Sequence, residues 1–341
     1  MKITRTRAVL LVGLLILAAG VVWASRTVIP TIGETPRFAA TPGEKLWSFG
    51  FVGDTHEGRG ITDRIFARLS DAQLEFVVHL GDIVDRGDCD EQWEYVLGEA
   101  ARHRLRLMPV VGNHDKERCY DDQGEIRFRQ YFAHLPRTFY HFRHRGLNFV
   151  ILNSERFPLP GSEQAKFLAW ELARHPGPTV VCQHRPIFTA SNRDWANMYL
   201  FRLWTHGALV GSDATLVLCG HNHYYERSKP LDGITYVVSG GGAPNLYAAE
   251  QPAGHTAAFS SGKNHYGLVD VYADHLAVRV FDLEGELIDE FDVALAATDQ
   301  APGTAGNLSA TELPPIESLP AFREERLGLR PGAPALLPRP W

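Results

Sequence analysis

The sequence predicts a layered α/β domain with an antiparallel portion over residues 45–295. Three observations carry that expectation. Short apolar runs alternate with amphipathic helical patterns, which implies βαβ units with helices covering both faces of a sheet. Late in the domain the pattern changes to paired strands separated by turn residues. Both ends of the chain differ in composition from everything between them.

Taken in order, "LWSFGFVGD" (46–54) is an apolar run of strand length, and "ITDRIFARLSDA" (61–72) carries apolar residues at helical spacing. "FVVHLGD" (76–82) is the next strand, and "DEQWEYVLGEAARH" (90–103) the next helix. "RLMPVVGNHD" (106–115) and "LNFVILNSE" (147–155) follow as strands, then "SEQAKFLAWELARH" (162–175) as a helix. "TVVCQH" (179–184), the helical "MYLFRLWTHGALV" (198–210) and "ATLVLCGHNH" (214–223) complete the alternation. "ITYVVSG", "HYGLVDVYAD" and "LAVRVFDLEG" then form the hairpin portion, residues 234–285.

The flanks are not part of this unit. Lys2, Arg5 and Arg7 precede a charge-free run from Ala8 to Ala24, the pattern of a secretory signal peptide. The rival is an uncleaved N-terminal membrane anchor, since such a run is near the lower length of a spanning helix. Either route places the bulk of the chain outside the cytoplasm, periplasmic or secreted. Residues 25–44 form a short linker. From 296 to 341 the chain is rich in Pro, Ala and Gly, and the expectation there is a disordered tail.

Composition excludes some functions. The 341 residues are 45% hydrophobic and 22% charged with a net charge of −6, which argues against a broad nucleic-acid surface. None of the four cysteines forms a CxxC pair, which excludes a zinc ribbon or a thioredoxin-type motif. Nothing in the sequence fixes the oligomeric state.

The polar residues are concentrated at strand ends. Five of the six strands before the hairpin portion finish in acidic, amide or imidazole side chains: Asp54 and His56, Asp82, Asn113 and His114, His184, and His221 and His223. Ligands of α/β sheets collect at the carboxyl ends of strands. On an extended segment residues two apart point the same way, which would pair Asp54 with His56 and His221 with His223, each pair on one ion. Asp82 sits near the middle of the set and would bridge two ions through its two oxygens. Imidazoles with carboxylate and amide oxygens suit Zn, Fe or Mn. One "GHNH" would be weak evidence, because a lone His at a strand end is commonly structural. Five segments ending in ligand types multiply the coincidence down.

"GDTH" (53–56), "GDIVDRG" (81–87), "GNHD" (112–115), His184 in "VVCQHRP" and "GHNH" (220–223) resemble, in order, the five motifs of the calcineurin-like metallophosphoesterases. The resemblance covers residues 50–225. It implies a four-layer αββα sandwich, mixed sheets flanked by helices, around a dinuclear metal centre. By motif position Asp54, His56 and His223 would hold one ion, Asn113, His184 and His221 the other, with Asp82 bridging. His114 would serve the leaving group, oriented by Asp85, and Arg86 would grip phosphate, as in the Ser/Thr protein phosphatases.

Two such ions bind a phosphate through two oxygens and generate hydroxide at neutral pH, which attacks phosphorus in line. The function this implies is an exported phosphohydrolase acting on small phosphate esters, foremost a phosphomonoesterase. The alternatives are a phosphodiesterase, for example of cyclic nucleotides, and a catalytically silent metal-bound scaffold. Purple acid phosphatases carry a Tyr ligand three residues after the bridging Asp, and Asp85 stands at that place here. "SGGGAP" (239–244) lacks the P-loop lysine and is expected to form a rim loop.

The cysteines add one expectation. Cys89 and Cys119 each lie a few residues beyond a motif in polar loop sequence, and an exported protein meets oxidising conditions. A Cys89–Cys119 disulfide is predicted between the loops presenting Arg86 and His114. Cys182 and Cys219 lie in apolar strands two residues before a motif His and are expected as core packing.

Overall fold

Strand β1 (Trp47–Val52) is buried at all six positions, as a run without polar alternation requires. It pairs in parallel with β2 (Val77–His79), which pairs in parallel with β3 (Leu107–Pro109). On its other side β1 pairs antiparallel with β11 (His265–Val271), followed by β12 (His275–Asp282) and β13 (Leu287–Ala294). A second sheet runs in the order β10 (Thr256–Ser260), β8 (Tyr225–Ser228), β9 (Thr235–Ser239), β7 (Ala214–Cys219), β6 (Thr179–Gln183), β5 (Leu147–Ile151), β4 (Tyr140–His144). The computed structural model describes residues 43–295 apart from 57, 117–124, 136, 157–158, 192–198 and 248–251.

The two sheets face one another. Phe49, Phe51, Phe76 and Leu80 from the first meet Phe149, Ile151, Val180 and Leu218 from the second, all fully buried. The Phe49 and Phe149 rings meet edge to face with centroids 5.2 Å apart. Helices α1 (Arg59–Asp71), α2 (Asp90–Arg102) and α3 (Ile126–Tyr131) cover the outer face of the first sheet, Phe66, Trp93 and Phe128 packing with Val52, Val77 and Val111. Helix α4 (Glu163–Arg174), capped by the Ser162 hydroxyl accepting from the Ala165 amide at 3.2 Å, covers the second sheet through Leu168. A stretch of π geometry, Arg202–His206, and the helical turn Gly207–Leu209 complete that layer.

The result is the four-layer αββα arrangement. It corrects the reading from strand–helix alternation alone, which put helices on both faces of one sheet. Each sheet here has helices on one face and the other sheet on the opposite face, because both faces of β1 and β6 need apolar cover. The expected secretory segment, most of the 25–44 linker and the 296–341 tail lie outside the described residues. No described helix is long and apolar enough to cross a membrane.

Candidate functional site

Every expected ligand residue lies just past the end of a strand. Asp54 and His56 follow β1, Asp82 follows β2, Asn113 follows β3, His184 follows β6, and His221 and His223 follow β7. The backbone there is not extended. Asp54, His56, Asp82 and His221 have φ values of 65°, 45°, 50° and 71°. Left-handed backbone is unfavourable for residues with a Cβ and persists where surrounding bonds over-determine it. Those bonds are present: the Asp54 amide donates to Gly81 O at 2.9 Å, His56 N to Asp82 O at 3.1 Å, and His221 N to both Asp54 carboxylate oxygens at 3.0 and 2.9 Å. The glycines of the motifs make this closeness possible. A Cβ on Gly112 would stand 2.1 Å from Asp82 N, and one on Gly220 2.6 Å from Asp54 Oδ2.

Period-two spacing does not describe these turns. His221 and His223 do not share an ion's position, because the left-handed turn at His221 sends the two rings to different groups. Asp82 lies just past the end of β2 and not on it. Oδ1 accepts the His114 amide at 2.7 Å, which leaves Oδ2 facing both groups.

In the first group His184 Nε2 lies 3.1 Å from Asn113 Oδ1, 3.2 Å from His221 Nδ1 and 3.3 Å from Asp82 Oδ2. In the second His56 Nε2 lies 3.3 Å from His223 Nε2 and 3.7 Å from Asp82 Oδ2, while His223 Nε2 lies 3.7 Å from Asp54 Oδ1. Bonds of about 2.0–2.1 Å in a tetrahedral site put neighbouring donors about 3.3 Å apart, so both donor sets fit a transition-metal ion. The outer bonds also fit. His184 Nδ1 donates to Leu80 O at 2.9 Å and His223 Nδ1 to Asn245 O at 2.7 Å, turning each bare Nε2 inward.

The electrostatics point the same way. Asp54 and Asp82 are buried, 0% and 1% exposed, which is costly for two neighbouring carboxylates without positive charge. Burial pushes Asp54 well above the usual carboxylate range, against the pull of His184. Burial acts to raise Asp82 and lower His184, but their mutual attraction outweighs it, taking Asp82 down and His184 up to about 10. Burial takes His56 down to about 4 and lowers His223, leaving neutral imidazoles. A cluster that must hold a proton on His184 to balance its carboxylates is one where divalent charge would substitute for protons.

His114 stands beside this centre, its ring meeting the His56 ring edge to face at 4.7 Å. Its Nδ1 donates to the Asp85 backbone carbonyl at 2.9 Å and lies 3.3 Å from Asp85 Oδ1, so Asp85 orients it. Asp115 is fully buried and ties the loops together: Oδ1 accepts from Ile83 N and Val84 N at 2.7 and 3.1 Å, Oδ2 from Gly112 N at 2.8 Å. The structure does not bring Arg86 into the cluster. Its side chain is half exposed and Nε pairs with Asp88 at 3.3 Å. Cys119 lies outside the described residues, and Cys89 has no disulfide partner among them. Cys182 and Cys219 are buried in the cores on the two faces of the second sheet.

Arg185 lies beside the centre, outside the set of residues expected from the sequence. Its Nη1 lies 3.2 Å from His221 Nε2, and Glu155 holds the guanidinium through two bonds of 2.7 and 3.1 Å. The available signals were its place directly after His184 and the acid closing "LNSE". Tyr247 stacks on His223 with centroids 4.6 Å apart, and nothing in its surroundings in sequence marked it. The glycine loop after β9 packs on the "GDTH" loop, Gly242 N donating to Gly53 O at 2.9 Å.

Residues 48–225 match the family model of calcineurin-like phosphoesterases. An uncharacterized protein of Mycobacterium tuberculosis (strain H37Rv) is 30% identical over 159 residues, 39% of this chain and 30% of that protein. A phosphoenolpyruvate phosphatase of Allium cepa is 23% identical over 250 residues, 67% of this chain and 51% of that protein. The chain thus spans 30% of the length of the first of these curated relatives and 51% of the second. Among solved structures, a purple acid phosphatase from yellow lupin (Lupinus luteus) seeds superposes with a TM-score of 0.61 at 17% identity, over 80% of this chain and 58% of that one.

Proposed function

This chain belongs to the calcineurin-like phosphoesterase family, and from that premise we propose that it is an exported, metal-dependent phosphomonoesterase acting on small phosphate esters. The observation that carries the reading is the conjunction of six clustered His and Asp donors, Asn113 Oδ1 beside His184, and an independently oriented imidazole, His114, at their edge. Two bound ions of the Mn, Fe or Zn type supply Lewis acidity toward a phosphate oxygen and an activated water at neutral pH.

The chain's own residues do the rest. Asp82 Oδ2 would be shared by both donor groups while Oδ1 fixes the His114 amide. His114, with Nδ1 engaged by Asp85 and a side chain 37% exposed, presents Nε2 where a departing alkoxide needs a proton. Arg185, braced by Glu155, sets a cation on the His221 side of the centre, where it favours an anionic substrate. Arg86 would have to leave Asp88 to reach phosphate.

Monoester preference draws support from the phosphoenolpyruvate phosphatase among the relatives. Export rests on the basic start and apolar run of residues 2–24. Turnover of p-nitrophenyl phosphate and of bis(p-nitrophenyl) phosphate by the Mn²⁺-loaded protein tests the assignment. A kcat/KM at least about tenfold higher for the monoester is expected; the reverse order assigns a diesterase, and no turnover of either assigns a scaffold.

A further inference from the structure

We propose that His141, Glu171 and His175 form a second metal site, of zinc type, that clamps helix α4 to the edge strand β4. Glu171 and His175 are four residues apart, on one face at the end of α4, and His141 comes from the neighbouring strand. Glu171 Oε2 lies 3.3 Å from His141 Nδ1 and 3.2 Å from His175 Nε2. Those are the donor separations of a tetrahedral zinc site with bonds of about 2.0–2.1 Å. The side chains are 6%, 13% and 19% exposed, so the three donors meet in a largely water-excluded place.

The competing account is an ion pair between His175 and Glu171 with His141 as a neighbour. The state of the Glu171 carboxylate weighs against it. Glu171 Oε2 is buried and accepts no hydrogen bond, although two imidazole nitrogens stand beside it. The His141 and His175 rings stack with centroids 4.3 Å apart and planes at 20°, and each has a nitrogen within 3.3 Å of that oxygen. A buried carboxylate oxygen without a donor is unfavourable unless a cation completes it.

The surroundings of His141 match a ligand as well. Asn148 is buried, and its amide nitrogen donates to His175 O at 3.0 Å and Gly177 O at 3.4 Å. That fixes its Oδ1 toward His141, 3.4 Å from Nε2, which therefore carries the proton. Nδ1 is left as the bare lone pair facing Glu171, the arrangement by which outer hydrogen bonds set the tautomer of a metal-bound histidine. Two imidazoles and one carboxylate favour zinc over manganese or magnesium. The site is separate from the phosphoesterase centre: Asn148 and Thr179 pair at the starts of β5 and β6, whereas His184 follows the end of β6.

The test is elemental analysis of the full chain after equilibration with Zn²⁺ and removal of excess, for wild type, His141→Ala and Glu171→Gln. Wild type should retain one zinc per chain more than either variant, with phosphatase activity unchanged within about twofold. Equal zinc in all three overturns the proposal. Anomalous diffraction at the zinc edge on wild-type crystals decides independently of how the variants fold. A peak between the three side chains upholds the site, and no peak there, with zinc present at the phosphoesterase centre, refutes it.

Discussion

Asp115→Asn changes one oxygen of a buried carboxylate to an NH₂ and nothing else in shape. Asp115 joins the "GDIVDRG" and "GNHD" loops through three amides, at 2.7, 3.1 and 2.8 Å. Asparagine can accept from Ile83 and Val84 with its oxygen, but its nitrogen then faces the Gly112 amide, donor against donor. The flipped rotamer is worse, since it opposes two amides. One charge-assisted bond is lost and one buried N–H is left unpaired, so the expected cost is about 2 kcal/mol. Asp115→Ala strands all three amides, and the same reasoning gives about 5 kcal/mol. Burial, then Asp82, lifts Asp115 to about 7, while the amides draw it down, so the comparison belongs at pH 8, where the side chain is anionic. Urea unfolding of the chelated protein measures the loops without the metals, and Mn²⁺-dependent turnover reports whether Asn113 and Asp82 stay placed. Equal unfolding midpoints for wild type and Asp115→Asn, or equal losses for Asn and Ala, would refute the reasoning.

Three further outcomes are expected. His114→Ala should keep the metals yet lower kcat by about 10²–10⁴-fold, most for poor leaving groups, and loss of metal in that variant would show that His114 is a ligand. His265 is fully buried, and burial takes it down to about 4. A folded value below the unfolded 6.5 means that its contribution is present above pH 6.5 and lost as pH falls through about 4. Against His265→Leu, wild type should lose on the order of 3 kcal/mol more stability between pH 7 and pH 4, read from urea midpoints. Peptide mapping without reduction should recover Cys89 linked to Cys119, and free thiols at both would remove that bond from the account.

The ligand residues were legible because four of the five motifs join a glycine to a ligand, and the contacts a Cβ would make at Gly112 and Gly220 give the physical reason. The grouping of the ligands was not legible from period-two spacing. Asp54, His56 and His221 sit in left-handed backbone, where that geometry does not apply. Strand β13 escaped notice because it is an edge strand whose "LIDEFDVA" leaves most side chains part-exposed, with charges in place of apolar alternation. Helix α3 has six residues, too few for a periodic signal. Arg185 and Glu155 were invisible as a pair because 30 residues separate them and only the packing of β5 against β6 joins them. His141 meets Glu171 and His175 for the same reason, across the contact of β4 with α4.

The central claim is a dinuclear centre bridged by one carboxylate oxygen. Anomalous diffraction from crystals of the Mn²⁺-loaded protein tests it most directly. The account predicts two manganese peaks about 3.5–4 Å apart, one bound by Asp54, His56 and His223, the other by Asn113, His184 and His221, with Asp82 Oδ2 on both. A single peak, or two peaks with Asp82 bound to only one, would contradict it.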